Sequence, residues 1–139
     1  FEYFAIVNRI AEQTGLEVIT EKAYYPKDLK KFGHIHEYLP TGPREFLNLV
    51  KNATLVCGGS FHLQVFSILF HKDFYCINGD KDARSNNLLK KCGLGDRIIS
   101  LDTPNEMTKN AISNWQTVEN RLHHEAKASQ DWLLKQLKA

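Results

Sequence analysis

The stretch CGGSFHLQVFSILF, residues 57 to 70, sets two glycines, a serine and a histidine at the head of an apolar run with helical spacing. Gly58 and Gly59 permit a close approach to the backbone that a side chain would obstruct. Ser60 is a favoured helix N-cap, and the free N–H groups and positive dipole end of a helix start hold phosphate or carboxylate. His62, in the first turn, can supply a hydrogen-bond donor, a positive charge or a transferable proton. Together these suit a small anion. The same residue types also fit an ordinary buried helix with a satisfied core histidine, and at this level both readings stay open.

Other residues that could do chemistry are bound less tightly by their surroundings. His34 and His36, one residue apart, would put two imidazoles on the same side of an extended segment, but a metal needs further ligands that cannot be assigned, and they are expected to be loop histidines. Glu45 is expected to be an exposed charge on the first turn of a helix, where it suits the dipole. His123 and His124, with Glu119 nearby, are expected on a solvated helix face. Asp96-Arg97 looks like a turn with a local charge pair, and Trp115 and Trp132 like packing residues.

The elements that must position the opening motif follow from the pattern of apolar residues. Phe4, Val7, Ile10 and Ala11 recur at spacings of three and four and Gly15 then stops the helix. LEVIT, 16 to 20, reads as a short strand. EKAYYPKDLKKFGHIHEYLPTG, with prolines towards both ends, reads as a long loop or short turns. Pro43 suits a first helical turn, and REFLNLVKNA then carries Phe46, Leu47 and Val50 on one face. Strand candidates TLVCG (54–58), FYCIN (74–78) and RIIS (97–100) alternate with helices at 60–70 and around 84–92.

Strands without a polar face, alternating with helices, are the pattern of a parallel sheet covered on both sides. The expected fold is therefore α/β, a three-layer Rossmann-like parallel sheet with helices on both faces. Ligands of such sheets bind outside the carboxyl ends of the strands, and Cys57-Gly58-Gly59-Ser60 lies at one such junction. From Pro104 onward the chain is expected to be helical, with a segment over 112–139 packing on the domain through Trp115, Val118, Leu122, Trp132, Leu133 and Leu137.

Composition bounds the rest. A chain of 139 residues, 42% hydrophobic and 24% charged, is one ordinary domain with a real core. A net charge of +2, from 18 basic and 16 acidic residues without a long like-charged run, gives no arm for nucleic acid. Cys57, Cys76 and Cys92 include no CxxC pair and are odd in number, which points to a reducing, cytoplasmic setting. No apolar stretch reaches the roughly 18 residues of a membrane span. The chain opens within a helical pattern and without methionine, as expected of a part of a longer protein.

GPREFLNLVKNATLVCGGSFHLQVFSILFHKDFYCIN followed by ARSNNLLKKCGLGDRII resembles the polysaccharide pyruvyl transferase family. The resembling positions are Pro43, Glu45, Phe46 and Leu47; Lys51, Asn52 and Ala53; Ser60, Phe61 and His62; Lys72 and Phe74; Arg84; and Leu88 through Arg97. The resemblance covers about residues 40 to 100. It implies the C-terminal, donor-binding lobe of a two-lobed enzyme of glycosyltransferase-B type, inactive without the N-terminal lobe. Such enzymes move a pyruvyl group from phosphoenolpyruvate to a saccharide or lipid-linked saccharide in building cell-surface polysaccharides, with no cofactor and no metal expected.

By the same resemblance His62 is the acid or phosphate-binding residue, Arg84 the anion clamp, and Gly58, Gly59, Ser60 and Phe61 line the donor site. The chemistry suits these residue types. A donor with a phosphate and a carboxylate calls for a helix N-terminus and a bidentate arginine, and ketal formation needs a proton donor at the enol carbon. One departure is informative: the family's S-F-H-G is Ser60-Phe61-His62-Leu63 here. A leucine in that place would narrow the pocket, select another donor such as a nucleotide sugar, or mark a non-catalytic binding or assembly module. Asp73 replaces a frequent proline and reads as a change confined to a turn.

Overall fold

The structure is a computed structural model that describes residues 2–21, 32–38, 42–102 and 110–139. Helix α1 (Glu2–Thr14) buries Ile6, Val7, Ile10 and Ala11 and ends at Gly15, whose φ of 71° is the left-handed conformation that closes a helix. Strands β1 (Val18–Glu21) and β2 (Ile35–Tyr38) then pair in parallel, Val18 opposite Ile35. β2 lies inside the segment expected to be loop. Only Ile35 of its four residues is buried, so the strand is made by its backbone ladder and leaves almost no trace in side-chain pattern.

Helix α2 (Pro43–Asn52) carries proline in its first turn, as its sequence predicts, and buries Val50 with Phe46 packed beside it. Three further parallel strands follow in the order β3 (Leu55–Gly58), β4 (Asp73–Ile77) and β5 (Ile98–Ile99), separated by α3 (Phe61–Leu69) and α4 (Ala83–Lys91). The register pairs Leu55 with Asp73, Gly58 with Cys76 and Ile77 with Ile99. The architecture is α/β with parallel pairing throughout the described strands. The single expected sheet is instead two small ones, of two and three strands, whose contact runs through side chains such as Ile35 against Tyr75 and Ile77 rather than through a backbone ladder.

Successive residues of a strand point to opposite faces, and β4 uses both. Phe74 and Cys76 join Val50, Val56, Ile68, Leu89, Leu94 and Val118 in one apolar cluster, while Tyr75 and Ile77 join Ile6, Val7, Ile10, Ile35 and Ile99 in another. Thus α1 supplies helix residues to one face of β4 and α2, α3, α4 and the last helix, α5 (Trp115–Lys138), supply them to the other. Phe74, Cys76 and Leu89 are fully buried, and at about 25 cal/mol per Å² of apolar surface such side chains dominate the stability of the sheet.

The base of the sheet is tied to the chain that enters α5. Asp73 Oδ1 accepts the Ile112 N–H at 2.6 Å, so the residue in the turn position does more than shape a turn. Arg97, 3% exposed, donates to the Asn110 carbonyl and lies 5.6 Å over the Tyr75 ring instead of forming the expected charge pair with Asp96. His71 stacks on Trp115, centroids 4.8 Å apart and 8° from parallel, and its Nε2 meets Glu119 Oε1 at 2.6 Å. Glu119 therefore serves His71, while His123 and His124 are exposed as expected.

α5 packs through Trp115, Val118 and Leu122, but its expected packing residues Trp132, Leu133 and Leu137 are exposed. Their spacing is that of a buried helix face, yet beyond residue 125 the helix has left the body. Of the segment expected to be helical from Pro104, residues 103–109 lie outside the described chain and 110–114 are irregular.

Candidate functional site

The carboxyl ends of β3 and β4 lie side by side, because these strands are neighbours and parallel. Each runs into a helix: β3 through Gly59 and Ser60 into α3, β4 through the short turn Gly79–Lys81 into α4. The first turns of α3 and α4 consequently share one end of the sheet, which is where parallel sheets bind ligands. His62 belongs to the first and Arg84 to the second.

Phe61 links them. The Arg84 guanidinium carbon lies 5.3 Å from the centre of the Phe61 ring, and the His62 ring meets the same phenyl edge-on with centroids 5.8 Å apart. Ser60 occupies the N-cap position of α3 in extended conformation, but its hydroxyl makes no capping bond. The first backbone bond of the helix runs from the Gln64 N–H to the Ser60 carbonyl at 3.2 Å, so the preceding N–H groups are left without a helical acceptor. His62 and Ser60 are exposed and Phe61 half-buried. The start of α3 thus has free N–H groups, with an imidazole and a guanidinium each in contact with Phe61 in its first turn.

Arg84 is held rather than loose. Asp82 caps α4, accepting the Arg84 N–H at 3.1 Å and Arg84 Nε at 3.4 Å on Oδ1, while Ser85 Oγ donates to Oδ2 at 3.0 Å. The Ser85 hydrogen bond, joined by those from Arg84, holds the Asp82 carboxyl below its ordinary range. Asp82 grips Arg84 through Nε, and the outer guanidinium nitrogens are the part of the side chain that remains for an anion.

The two glycines are closely approached by their neighbours. A Cβ on Gly59 would lie 3.0 Å from the Ile77 carbonyl oxygen, a backbone atom of β4 that cannot easily yield. A Cβ on Gly58 would lie 2.2 Å from Leu63 Cδ2. Leu63 is the leucine found where the resembling pattern has glycine, and it is folded back over the end of β3.

Two residues near the site stand outside the expected site residues. Tyr3 of α1 reaches the diglycine, its hydroxyl 3.4 Å from a Cβ built on Gly58 and its ring 3.8 Å from one built on Gly59. Gln64, fully buried, donates Nε2 to the Gly58 carbonyl at 2.7 Å and leaves Oε1 without a partner. A glutamine inside the apolar run HLQVFSILF was the available clue to Gln64. Nothing in the amphipathic pattern of α1 singles out Tyr3.

The remaining polar candidates lie elsewhere. His34 Nδ1 and His36 Nε2 approach the two oxygens of Glu17, at 3.4 and 2.6 Å, and their hydrogen bonds, His36 first, lower the Glu17 pKa. The two imidazoles do share a side, but His36 is in β2 and both turn to a carboxylate. Among the described residues no group of three or more His, Cys, Asp or Glu is placed to hold a metal ion. Glu45 is a first-turn acid of α2. No described helix is long and apolar enough to cross a membrane.

The described architecture, parallel strands flanked by helices, is that of an α/β protein, Rossmann-like in general terms. A family profile described as Polysaccharide pyruvyl transferase matches residues 2–81, and the chain belongs to that family. The matched span contains Tyr3 and the whole Gly58–His62 junction and stops short of Arg84. No curated protein and no solved structure gave a match.

Proposed function

We propose that this chain is the donor-binding lobe of a polysaccharide pyruvyl transferase, of glycosyltransferase-B type, that takes the pyruvyl group of phosphoenolpyruvate to a sugar. The observation that carries the reading is the convergence of the open α3 start, His62 and Arg84 around Phe61. The helix N–H groups and Arg84 hold the donor's phosphate and carboxylate. His62 gives a proton to the enol methylene as the first sugar hydroxyl bonds to the central carbon and returns its own proton to His62; the carbon–oxygen bond to phosphate then breaks, and the second hydroxyl bonds in its place, its proton leaving with the phosphate. The family membership and three unpaired cysteines fit a cytoplasmic reaction on a saccharide or lipid-linked saccharide.

The test is made on protein carrying both lobes. Calorimetry is expected to show phosphoenolpyruvate binding that weakens in Arg84→Ala, and His62→Ala is expected to lower turnover by about 10²–10⁴-fold, the range for a general acid. Absence of donor binding, or unchanged turnover in His62→Ala, refutes the assignment. Leu63 favours a second reading, a protein of this family that takes a nucleotide sugar or only binds. Thermal stabilisation by a nucleotide sugar and not by phosphoenolpyruvate would select the first of these, and no phosphate release with donor and acceptor both saturating the second.

A further inference from the structure

Among the described residues the last ion pair between α5 and the body is Lys91 to Glu125 at 3.1 Å, and every residue from 126 to 139 is exposed. This projecting end is about 20 Å long at 1.5 Å per residue. It carries four of the large hydrophobic side chains most exposed among the described residues: Trp132 at 63%, Leu133, Leu134 and Leu137 at 73%. The exposure is not scattered.

At about 100° per residue, Lys127, Asp131, Lys135 and Lys138 fall within an arc of roughly 80°. Trp132, Leu133, Leu134 and Leu137 occupy the rest of the circumference together with alanine, serine and glutamine. Three lysines against one aspartate make the charged arc cationic, and Lys127 Nζ meets Asp131 Oδ2 at 2.8 Å, which leaves Lys135 and Lys138 without an ion-pair partner among the described residues. A short helix with segregated faces, tryptophan and leucine on one and lysine on the other, is built to lie in a bilayer interface. It is not built to span one.

A second copy of the chain fits less well. A helix face of this length buries well under the about 800 Å² that each partner of a stable interface contributes. We propose that the end of α5 docks on an anionic phospholipid surface, with Trp132, Leu133 and Leu137 in the headgroup boundary and Lys135 and Lys138 on the opposite face, within a Debye length of the lipid phosphates. This inference stands on α5 alone and does not need the pyruvyl-transfer reading. Where both hold, the donor site is carried to a surface on which lipid-linked saccharides are found.

The experiment is sedimentation of the intact chain with phosphatidylcholine vesicles, with and without one third phosphatidylglycerol. Binding is expected only to the anionic vesicles, with a blue shift of tryptophan emission that is lost in Trp132→Phe. Each lysine near an anionic surface is worth about fivefold in binding. Lys135→Gln with Lys138→Gln is therefore expected to weaken binding on the order of 20-fold, and Leu133→Glu with Leu137→Glu to abolish it. All these positions are solvent-exposed, so circular dichroism and thermal melting are expected to be unchanged. No sedimentation with anionic vesicles, equal binding by Leu133→Glu/Leu137→Glu, or self-association that this variant abolishes in the absence of lipid each overturns the proposal.

Discussion

Gly58 and Leu63 are one structural decision made at two positions. Leu63 Cδ2 occupies the space that a Cβ on Gly58 would enter, so the leucine is tolerated because position 58 has no side chain. Gly58→Ala alone is expected to destabilise by about 1–3 kcal/mol, the range for overpacking, and most of that loss is expected to vanish in a Leu63→Ala background. Chemical denaturation of the four proteins of the cycle measures it. Gly59→Ala gains no such relief, because its obstacle is the Ile77 carbonyl. Asp82 offers a pH test. Its folded pKa lies below the ordinary 3.8, chiefly through Ser85, so its contribution is full above that value and is lost as pH falls through the folded pKa. Asp82→Asn is therefore expected to lose less melting temperature than the parent on going from about pH 5 to about pH 3. The candidate residues Gly58 to His62 stand out in the sequence because glycine, serine and histidine carry their chemistry in their types and order. Tyr3 and Gln64 do not, since their role is a tertiary contact with the diglycine.

The elements of the central region were legible where burial imposes a period. α2, β3, α3, β4 and α4 each fall within two residues of their expected bounds, because each must bury an apolar face. β2 was missed for the opposite reason: a strand with one buried residue in four leaves no alternation to read. The far end of α5 was misjudged because periodicity reports that a face exists and not what covers it. The chain entering α5 was also invisible, since it is fixed by single polar contacts from Asp73 and Arg97. Asp73→Ala removes a charged acceptor from the Ile112 N–H and is expected to cost about 1–3 kcal/mol, with faster amide exchange at Ile112 as the direct reading. His71→Ala, which loses both the Trp115 stack and the Glu119 bond, is expected to speed exchange in the first turns of α5 and leave α1 unaffected.

At the scale of the whole molecule, the parallel α/β character and the family were both readable from order and spacing, while the division into two sheets was not. Which strands share a ladder depends on backbone placement that side-chain pattern does not encode. The three thiols are free, and burial pushes Cys57 up to about 12 and Cys76 up to about 11. Alkylation at about pH 8 is therefore expected to be negligible at both in the folded protein and rapid once denaturant unfolds it, because only the thiolate reacts. That test reports on the strands that lead to the candidate site, Cys57 one residue before the diglycine and Cys76 one before Ile77. β4 has a further consequence. With Phe74 and Cys76 committed to one cluster and Tyr75 and Ile77 to the other, it is a party wall between two rooms, and neither can be emptied while the wall stands. Its central amides are expected to exchange with solvent deuterium only in rare openings of the entire chain, which makes the middle of β4 the slowest clock in the protein and its rate a direct reading of global stability.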